Sequence, residues 1–448
     1  MLAVGFAHRA SLGPWAHAAF AILLLAAPAA ARPLTVDDAV QLALSTNPTF
    51  RSVEERAEAA SDGARSVRGR FGFNVVASEE YQHWNCVFEI SFTTFSAGCP
   101  ESVTGMALPV RKQDTSTFAL IATQPLLGLG HIAEDWKAQQ RNADAAHAGV
   151  RAGEAAVREA VKNGFLRTFE ARALEGIARS SVEELAEQVR VAQARLKAGV
   201  ITNADLLRVQ VAQANAKQQQ IVAHSQADIA RARLLETVGL DPVDRTVELV
   251  EPRELLGSAG QPLPQPGSLK GAAERRPEVA QSTFTLRAAE HGRNARAWTL
   301  LPEISLDGGY LRTDGQLFAP IDSAYIGMKA SWALWEWGAS WYAQRASMRQ
   351  AEAEAFDLAA QKRSVTVDAV TKLDEAEAAT AAVEVALETI ASAEEAYRVT
   401  RALVQAGTAT TTDLLDAQAA LTTARLNLAR AQYERAVARV SLARAMAE

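Results

Sequence analysis

The chain repeats itself, and the repeat limits its possible folds more than any other feature. Asn47-Pro48 recurs as Arg276-Pro277, Ala59-Ala60 as Ala288-Ala289, Gly63 as Gly292 and Tyr81 as Tyr310, at a constant offset of 229 (47 to 276). Further on the offset falls to 208 (199 to 407). At that spacing Gly130 matches Gly338, Ala198-Gly199 matches Ala406-Gly407, Asp205-Leu206-Leu207 matches Asp413-Leu414-Leu415, and Gln210 matches Gln418. The difference between the offsets places 21 extra residues in the first half, between Tyr81 and Gly130, and Cys86 and Cys99 lie inside that interval.

Both halves run in one order. A short helix is expected first, over residues 35 to 70 and about 268 to 298, with Val36, Ala39, Val40 and Ala43 at helical spacing. The period then drops to two. Ile326, Met328, Ala330, Trp332 and Leu334 alternate with Tyr325, Gly327, Lys329, Ser331 and Ala333, as in a strand with one lipid face and one wet face. Strand pairs are expected over about 71–125 and about 303–334, with Pro125 and Pro302 at strand ends, where a missing N–H does least harm.

After each strand pair comes a stretch rich in Ala, Glu, Gln, Arg and Leu, at residues 131 to 198 and 339 to 405. At 1.5 Å per residue each helix would run about 100 Å, a length natural to coiled coils. Both stop at Ala-Gly, turn through a Thr-rich segment and return as a helix of about 35 residues starting near Asp205 or Asp413. Gly199 and Gly407 suit left-handed helix ends, and Thr202 and Thr410 offer N-cap oxygens. The chain therefore divides into a first repeat over 32–240 with its hairpin at 131–239, a Pro-rich linker over 241–267, and a second repeat over 268–448 with its hairpin at 339–448.

Residues 1–31 read as a secretory signal peptide: Arg9, an apolar run from Ala18 to Ala27, then Ala29-Ala30-Ala31. Export to an oxidising compartment favours a disulfide between Cys86 and Cys99, with two separate buried thiols as the alternative. Beyond the signal peptide no apolar run approaches the roughly 20 residues of a spanning helix, so any membrane crossing must be made by strands. The net charge of −6 comes from interspersed acids and bases, without the basic patch of a nucleic-acid binder.

Four strands cannot close a membrane barrel alone, since an open sheet leaves unpaired backbone groups facing lipid. Eight strands from a dimer would be filled by side chains, whereas twelve from a trimer leave room for a pore. The arithmetic favours a homotrimer and leaves larger rings open. Trp332, Trp335, Trp337 and Trp341 crowd the strand-to-helix transition, where an aromatic girdle facing the lipid headgroups is expected; packing at a barrel corner is the plainer reading.

The segments KAGVITNADLL (197–207) and QAGTATTTDLLDAQ (405–418), the strand exits TQPLLGLG (123–130) and SWALWEWG (331–338), and the duplicated order together resemble the TolC family of outer-membrane efflux channels. The resemblance covers residues 34–448. It implies a mainly α fold with a transmembrane β part: a trimeric twelve-stranded β-barrel continued by a twelve-helix α-barrel, mostly in the periplasm. It also implies a periplasmic adaptor (membrane fusion) protein and an inner-membrane transporter as partners, with type I protein secretion as an alternative use of the conduit.

Under that resemblance the Ala-Gly turns lie at the periplasmic mouth. Asp413 and Asp416, at i and i+3, share a helix face. With Asp205 they would ring a constriction that favours cations, although Asp205 and Asp413 equally suit helix capping. Gly199, Val200, Ile201, Gly407 and Thr408 are the expected adaptor-docking groups, exposing small and apolar surface. Relatives carry an arginine and a tyrosine near the second turn where this chain has Ala409 and Val404, so the expected gate is held mostly by helix packing and by whatever the Asp ring binds.

No enzyme is indicated, because no phosphate loop, GxSxG elbow or clustered ligand set occurs. His83 with Cys86 and Cys99 lacks metal-ligand spacing, and neither metal nor cofactor is expected. A competing class, the periplasmic coiled-coil adaptor itself, would need one long hairpin flanked by small β-domains, whereas this chain has two hairpins and two lipid-patterned strand pairs.

Overall fold

Helix formers dominate the chain, and the computed structural model, which describes residues 33–258 and 260–447, is mainly helical with one smaller antiparallel sheet. The signal peptide expected at 1–31 lies outside the described residues. After a two-residue strand β1 (Pro33–Leu34) come α1 (Val36–Thr46) and α2 (Pro48–Gly69). The sheet strands of the first half are β2 (Asn74–His83), β3 (Phe88–Ser91), β4 (Ser96–Gly98) and β5 (Ala107–Pro125). The first hairpin is α3 (Leu129–Lys197) and α4 (Asn203–Val238).

The connecting segment is not featureless. It contains β6 (Glu248–Leu249), which pairs in parallel with β1, and the short helix α5 (Arg253–Ser258). The second half follows with α6 (Pro266–Ala273), α7 (Pro277–Trp298), β7 (Glu303–Gln316), β8 (Asp322–Ser331), α8 (Ala339–Gln405) and α9 (Thr411–Ala445).

Two expectations need correction. The single helix expected over 35–70 is broken at Asn47, and that over 268–298 is broken between Ala273 and Pro277. Proline disfavours the α conformation in the residue before it and cannot donate inside a helix, so Asn47 and Arg276 are extended and Pro48 and Pro277 start new helices. The alternation through Trp332 and Leu334 also outruns the strand: β8 ends at Ser331, paired with Glu303, because the next residue back on β7's side is Pro302.

The breaks give each half its architecture. Helix α3 has 69 residues and α8 has 67, each about 100 Å long at 1.5 Å per residue, and their 36- and 35-residue partners α4 and α9 return only half that distance. Helices α2 and α7 then continue along α3 and α8 towards the sheet. Where α4 ends, Thr46 Oγ1 donates to the Val238 carbonyl at 2.9 Å and Asn47 Nδ2 to the Thr237 carbonyl at 2.8 Å, satisfying acceptors a helix end leaves open. The core around this junction is Ala39, Val40 and Ala43 of α1 against Val161, Phe165, Leu234 and Val238. Burying a side chain such as Phe165 is worth about 2–3 kcal/mol.

In the sheet the long strands lie in the order β2-β5-β7-β8, every neighbouring pair antiparallel, and the β5–β7 pairing joins the two repeats. Outside this order, β3 pairs with the far end of β5 and carries β4. Among the described residues β2 pairs only with β5 and β8 only with β7, which leaves each with one bare edge. The side chains of β2 are exposed throughout, and on β8 Ile326 and Met328 are 79% and 70% exposed. The 21 extra residues supply β3 and β4, with Cys86 and Cys99 joined in a disulfide at a Cα–Cα distance of 5.7 Å.

Candidate functional site at the hairpin tips

Both hairpins turn with the same device. At the first tip Gly199 takes φ +72°, its N–H donates to the Leu196 carbonyl, and Val200 N–H reaches back to the Arg195 carbonyl at 2.9 Å. At the second, Gly407 takes φ +79° and Thr408 N–H donates to the Leu403 carbonyl at 2.9 Å. This paired closure needs a left-handed residue after the helix, a conformation that costs other L-residues roughly 1–2 kcal/mol.

Reciprocal caps start the returning helices. Thr202 Oγ1 accepts from Asp205 N–H at 3.2 Å, while Asp205 Oδ2 accepts from Thr202 N–H at 3.1 Å and from its hydroxyl at 2.7 Å. Thr410 and Asp413 repeat the arrangement at 3.2, 2.8 and 2.7 Å. These hydrogen bonds from the threonines, side chain first and then backbone, hold both carboxyls below the usual carboxylate range. Asp205 and Asp413 thus serve as caps, and each is also accessible at its tip.

Above the turns the two hairpins are tied to each other by polar groups. Gln418, only 2% exposed, accepts a hydrogen bond from Gln188 Nε2 and donates to Glu184 Oε2 at 3.2 Å; Arg425 donates to Glu184 Oε1 at 3.0 Å. Arg195 of α3 reaches the Val404 carbonyl near the end of α8 at 3.5 Å. Apolar packing completes the tie, with Leu415 of α9 against Ala192, Leu206 and Val209 of the first hairpin. Between α3 and α8 lies a cleft of about 410 Å³, walled by residues that include Glu187, Arg195, Tyr397 and Arg401.

Asp416 is exposed and has no hydrogen-bond or ion-pair partner among the described residues. Val200, Gly407 and Thr408 are exposed at the tips. Ile201 departs from expectation: it is half-buried, folded onto Ala192, Leu206 and Val209, because the turn directs it back between its own two helices. Val404 is buried at 7% exposure.

At the opposite end Trp332, Trp335 and Trp337 lie in the connection from β8 to α8, with Trp341 in the first turn of α8. All four are more than half exposed. Trp335 packs edge-on against Trp337 at 5.5 Å, and Trp341 against Tyr342 at 4.9 Å. Among the described residues no group of three His, Cys, Asp or Glu side chains could hold a metal ion, and no helix is long and apolar enough to cross a membrane.

The cross-hairpin tie escaped sequence reasoning. Gln418 matched Gln210 in the repeat, but only Gln418 is buried between hairpins; its partners lie more than two hundred positions away, and neither spacing nor periodicity connects them.

The sequence pattern of the outer membrane efflux protein family matches residues 39–240 and 269–448. The outer membrane efflux protein BepC of Brucella suis biovar 1 (strain 1330) is 25% identical over 283 residues, covering 62% of this chain; the match spans 60% of that curated relative's length. Among solved structures, CusC superposes with a TM-score of 0.79 at 16% identity, covering 92% of this chain and 91% of its own. CmeC of Campylobacter jejuni gives 0.78 at 14%, covering 92% and 85%. VceC of Vibrio cholerae gives 0.74 at 17%, covering 92% and 95%. At such identities the structural likeness is one of fold, while the sequence pattern takes in nearly all of both repeats: the chain belongs to the outer membrane efflux protein family.

Proposed function

We propose that this chain is the outer-membrane exit channel of a tripartite efflux system, working as a homotrimer with a periplasmic adaptor and an inner-membrane transporter. One observation carries the reading: four long strands of one sheet, the outer two each with an edge left bare among the described residues, sit at one end of helices about 100 Å long. Backbone groups on β2 and β8 need partners in lipid, and β8 of one protomer pairing with β2 of the next meets that need around a threefold axis. Three copies make a twelve-stranded barrel wide enough for a pore. The exposed Trp332, Trp335, Trp337 and Trp341 form its aromatic girdle at the sheet-to-helix boundary.

At the far end the hairpin tips form the periplasmic mouth. Asp416, exposed and without a partner among the described residues, lines the constriction with Asp413 and with Asp205, whose second oxygen meets Arg208 at 3.4 Å, and Gly199, Val200, Gly407 and Thr408 receive the adaptor. The gate is held by helix packing and by the Gln188–Gln418–Glu184–Arg425 tie.

The test is reconstitution. Protein extracted from the outer-membrane fraction should migrate as an SDS-resistant trimer that falls to monomer on heating, and should give discrete conductance steps in planar bilayers. A stable, water-soluble monomer that never inserts would end this reading.

A further inference from the structure

The duplication breaks down at one junction, and the break opens a cavity. In the first repeat Asn47 seals the meeting of α4 with α2: its Oδ1 accepts from Thr49 and Phe50 N–H, and its amide donates to the end of α4. The matching residue in the second repeat is Arg276, which cannot cap. It turns aside to Asp368 at 2.5 Å and Glu278 at 2.9 Å, leaving the N-terminus of the 22-residue α7 without a side-chain cap. Between that N-terminus, the end of α9 and the middle of α3 lies a cavity of about 550 Å³.

Its walls are cationic in a chain whose net charge is −6. Three lining cations are neutralised by carboxylates: Arg276 by Asp368 and Glu278, Arg158 by Glu154 at 2.6 Å, and Arg444 by Glu159 at 2.6 Å with Glu278 at 3.5 Å. Arg151, Lys162, Arg275 and Arg439 line the same space and have no carboxylate partner among the described residues. Among the described residues Arg439 reaches only the Pro262 carbonyl, at 3.5 Å, and the buried Nε atoms of Arg439 and Arg444 have no hydrogen-bond partner. Burial, then the neighbouring Arg435, pushes the Arg439 guanidinium below its ordinary value. Arg439 and Lys162 are half-buried and Arg275 and Arg151 exposed, and like charges gathered around one cavity repel one another unless an anion joins them.

We propose that this cavity is a binding site for a small oxyanion of two or more negative charges, a phosphate or polycarboxylate, held by Arg439, Arg275, Arg151 and Lys162 at the start of α7. Guanidinium forks match carboxylate and phosphate oxygens, and a helix N-terminus adds its own positive potential. Leu255 of α5 and Ala436, Val440 and Ala443 of α9 form the apolar part of the wall, so a bound anion would be drawn partly out of water, where its hydrogen bonds count for more.

Isothermal titration of the purified full chain with inorganic phosphate, and separately with citrate, tests the site, with sodium chloride at matched ionic strength as control. Saturable binding of phosphate or citrate by the wild type is expected, with dissociation constants at least about tenfold weaker in the Arg275→Gln/Arg439→Gln double variant. Should that variant fail to fold, Arg151→Gln, an exposed change on the α3 wall, should weaken binding instead. Heats matched by sodium chloride, or equal affinity in a folded variant, would overturn the assignment. The measurement needs neither a bilayer nor a partner, so its result is independent of the channel reading.

Discussion

Replacing Gln418 by Ala removes the centre of the tie between the two hairpins. Gln418 is almost completely buried, and two hydrogen bonds are lost: one from Gln188, a neutral pair, and one to Glu184. A neutral hydrogen bond contributes about 0.5–1.5 kcal/mol, and one to a carboxylate up to about 3 kcal/mol. Glu184 is 34% exposed, so the second bond belongs near the low end of its range. The sum is about 1.5–3 kcal/mol of lost stability at the tips. In native-state hydrogen exchange, where protection reports local opening, this corresponds to amides around residues 415–425 exchanging about 10- to 140-fold faster. Amides of α2 and α7, at the other end, should be unaffected. Exchange in α9 that rises less than about threefold would show that the hairpins are held by apolar packing alone and would refute the assignment of the gate.

Gly239 ends α4 at φ +84°, and a Cβ there would meet Thr46 Oγ1 at 2.8 Å and backbone atoms of Thr46 and Asn47 at 3.1 Å, so Gly239→Ala should cost about 2–4 kcal/mol in unfolding experiments. Gly199→Ala, at φ +72° with nothing within 4 Å of the new Cβ, should cost only about 1–2 kcal/mol; equal losses would contradict the close approach at the α1–α2 junction. Burial alone would raise the Glu134 carboxyl, but hydrogen bonds from Lys137, His291 and Asn294 outweigh it and lower it from 4.5 to about 2. Its stabilising contribution is therefore complete above pH 4.5 and lost as pH falls towards 2, so the gap in thermal midpoint between wild type and Glu134→Gln should be widest above pH 5 and shrink on acidification. Asp416→Asn, which leaves the Thr410–Asp413 cap intact, should reduce cation preference in single-channel recordings; unchanged reversal potentials would remove Asp416 from the constriction.

Local patterns predicted what local physics decides. The strand alternation at Ile326 and Met328, the helix formers between Leu129 and Lys197, and the Ala-Gly turns at 199 and 407 all took the expected form, since each rests on periodicity or on a conformation only glycine adopts cheaply. The breaks before Pro48 and Pro277 were legible in principle, but helical periodicity on either side masked them. Trp332 and Leu334 continue the alternation of β8 but lie beyond the strand, whose length is limited by where β7 begins at Glu303. The capping roles of Asp205 and Asp413 were weighed from their place at helix starts, where a carboxylate complements the dipole, while their reciprocal pairing with Thr202 and Thr410 appears only in the structure. The tie through Gln418 and the cationic cavity at Arg276 depend on which helix faces meet, and no short window of the chain contains that information.

The pairing of β5 with β7 also governs how the sheet is completed as the polypeptide crosses into its compartment. Strand β5 emerges long before its second partner, because the whole of the first hairpin and the connecting segment must follow it. For that interval a long strand with an open flank is available to any passing extended chain, a slow, non-local closure of the kind that invites aggregation. A holding chaperone that shields the flank until residue 316 has been delivered would meet this hazard, and a variant that speeds or tightens the β5–β7 register should depend on it less.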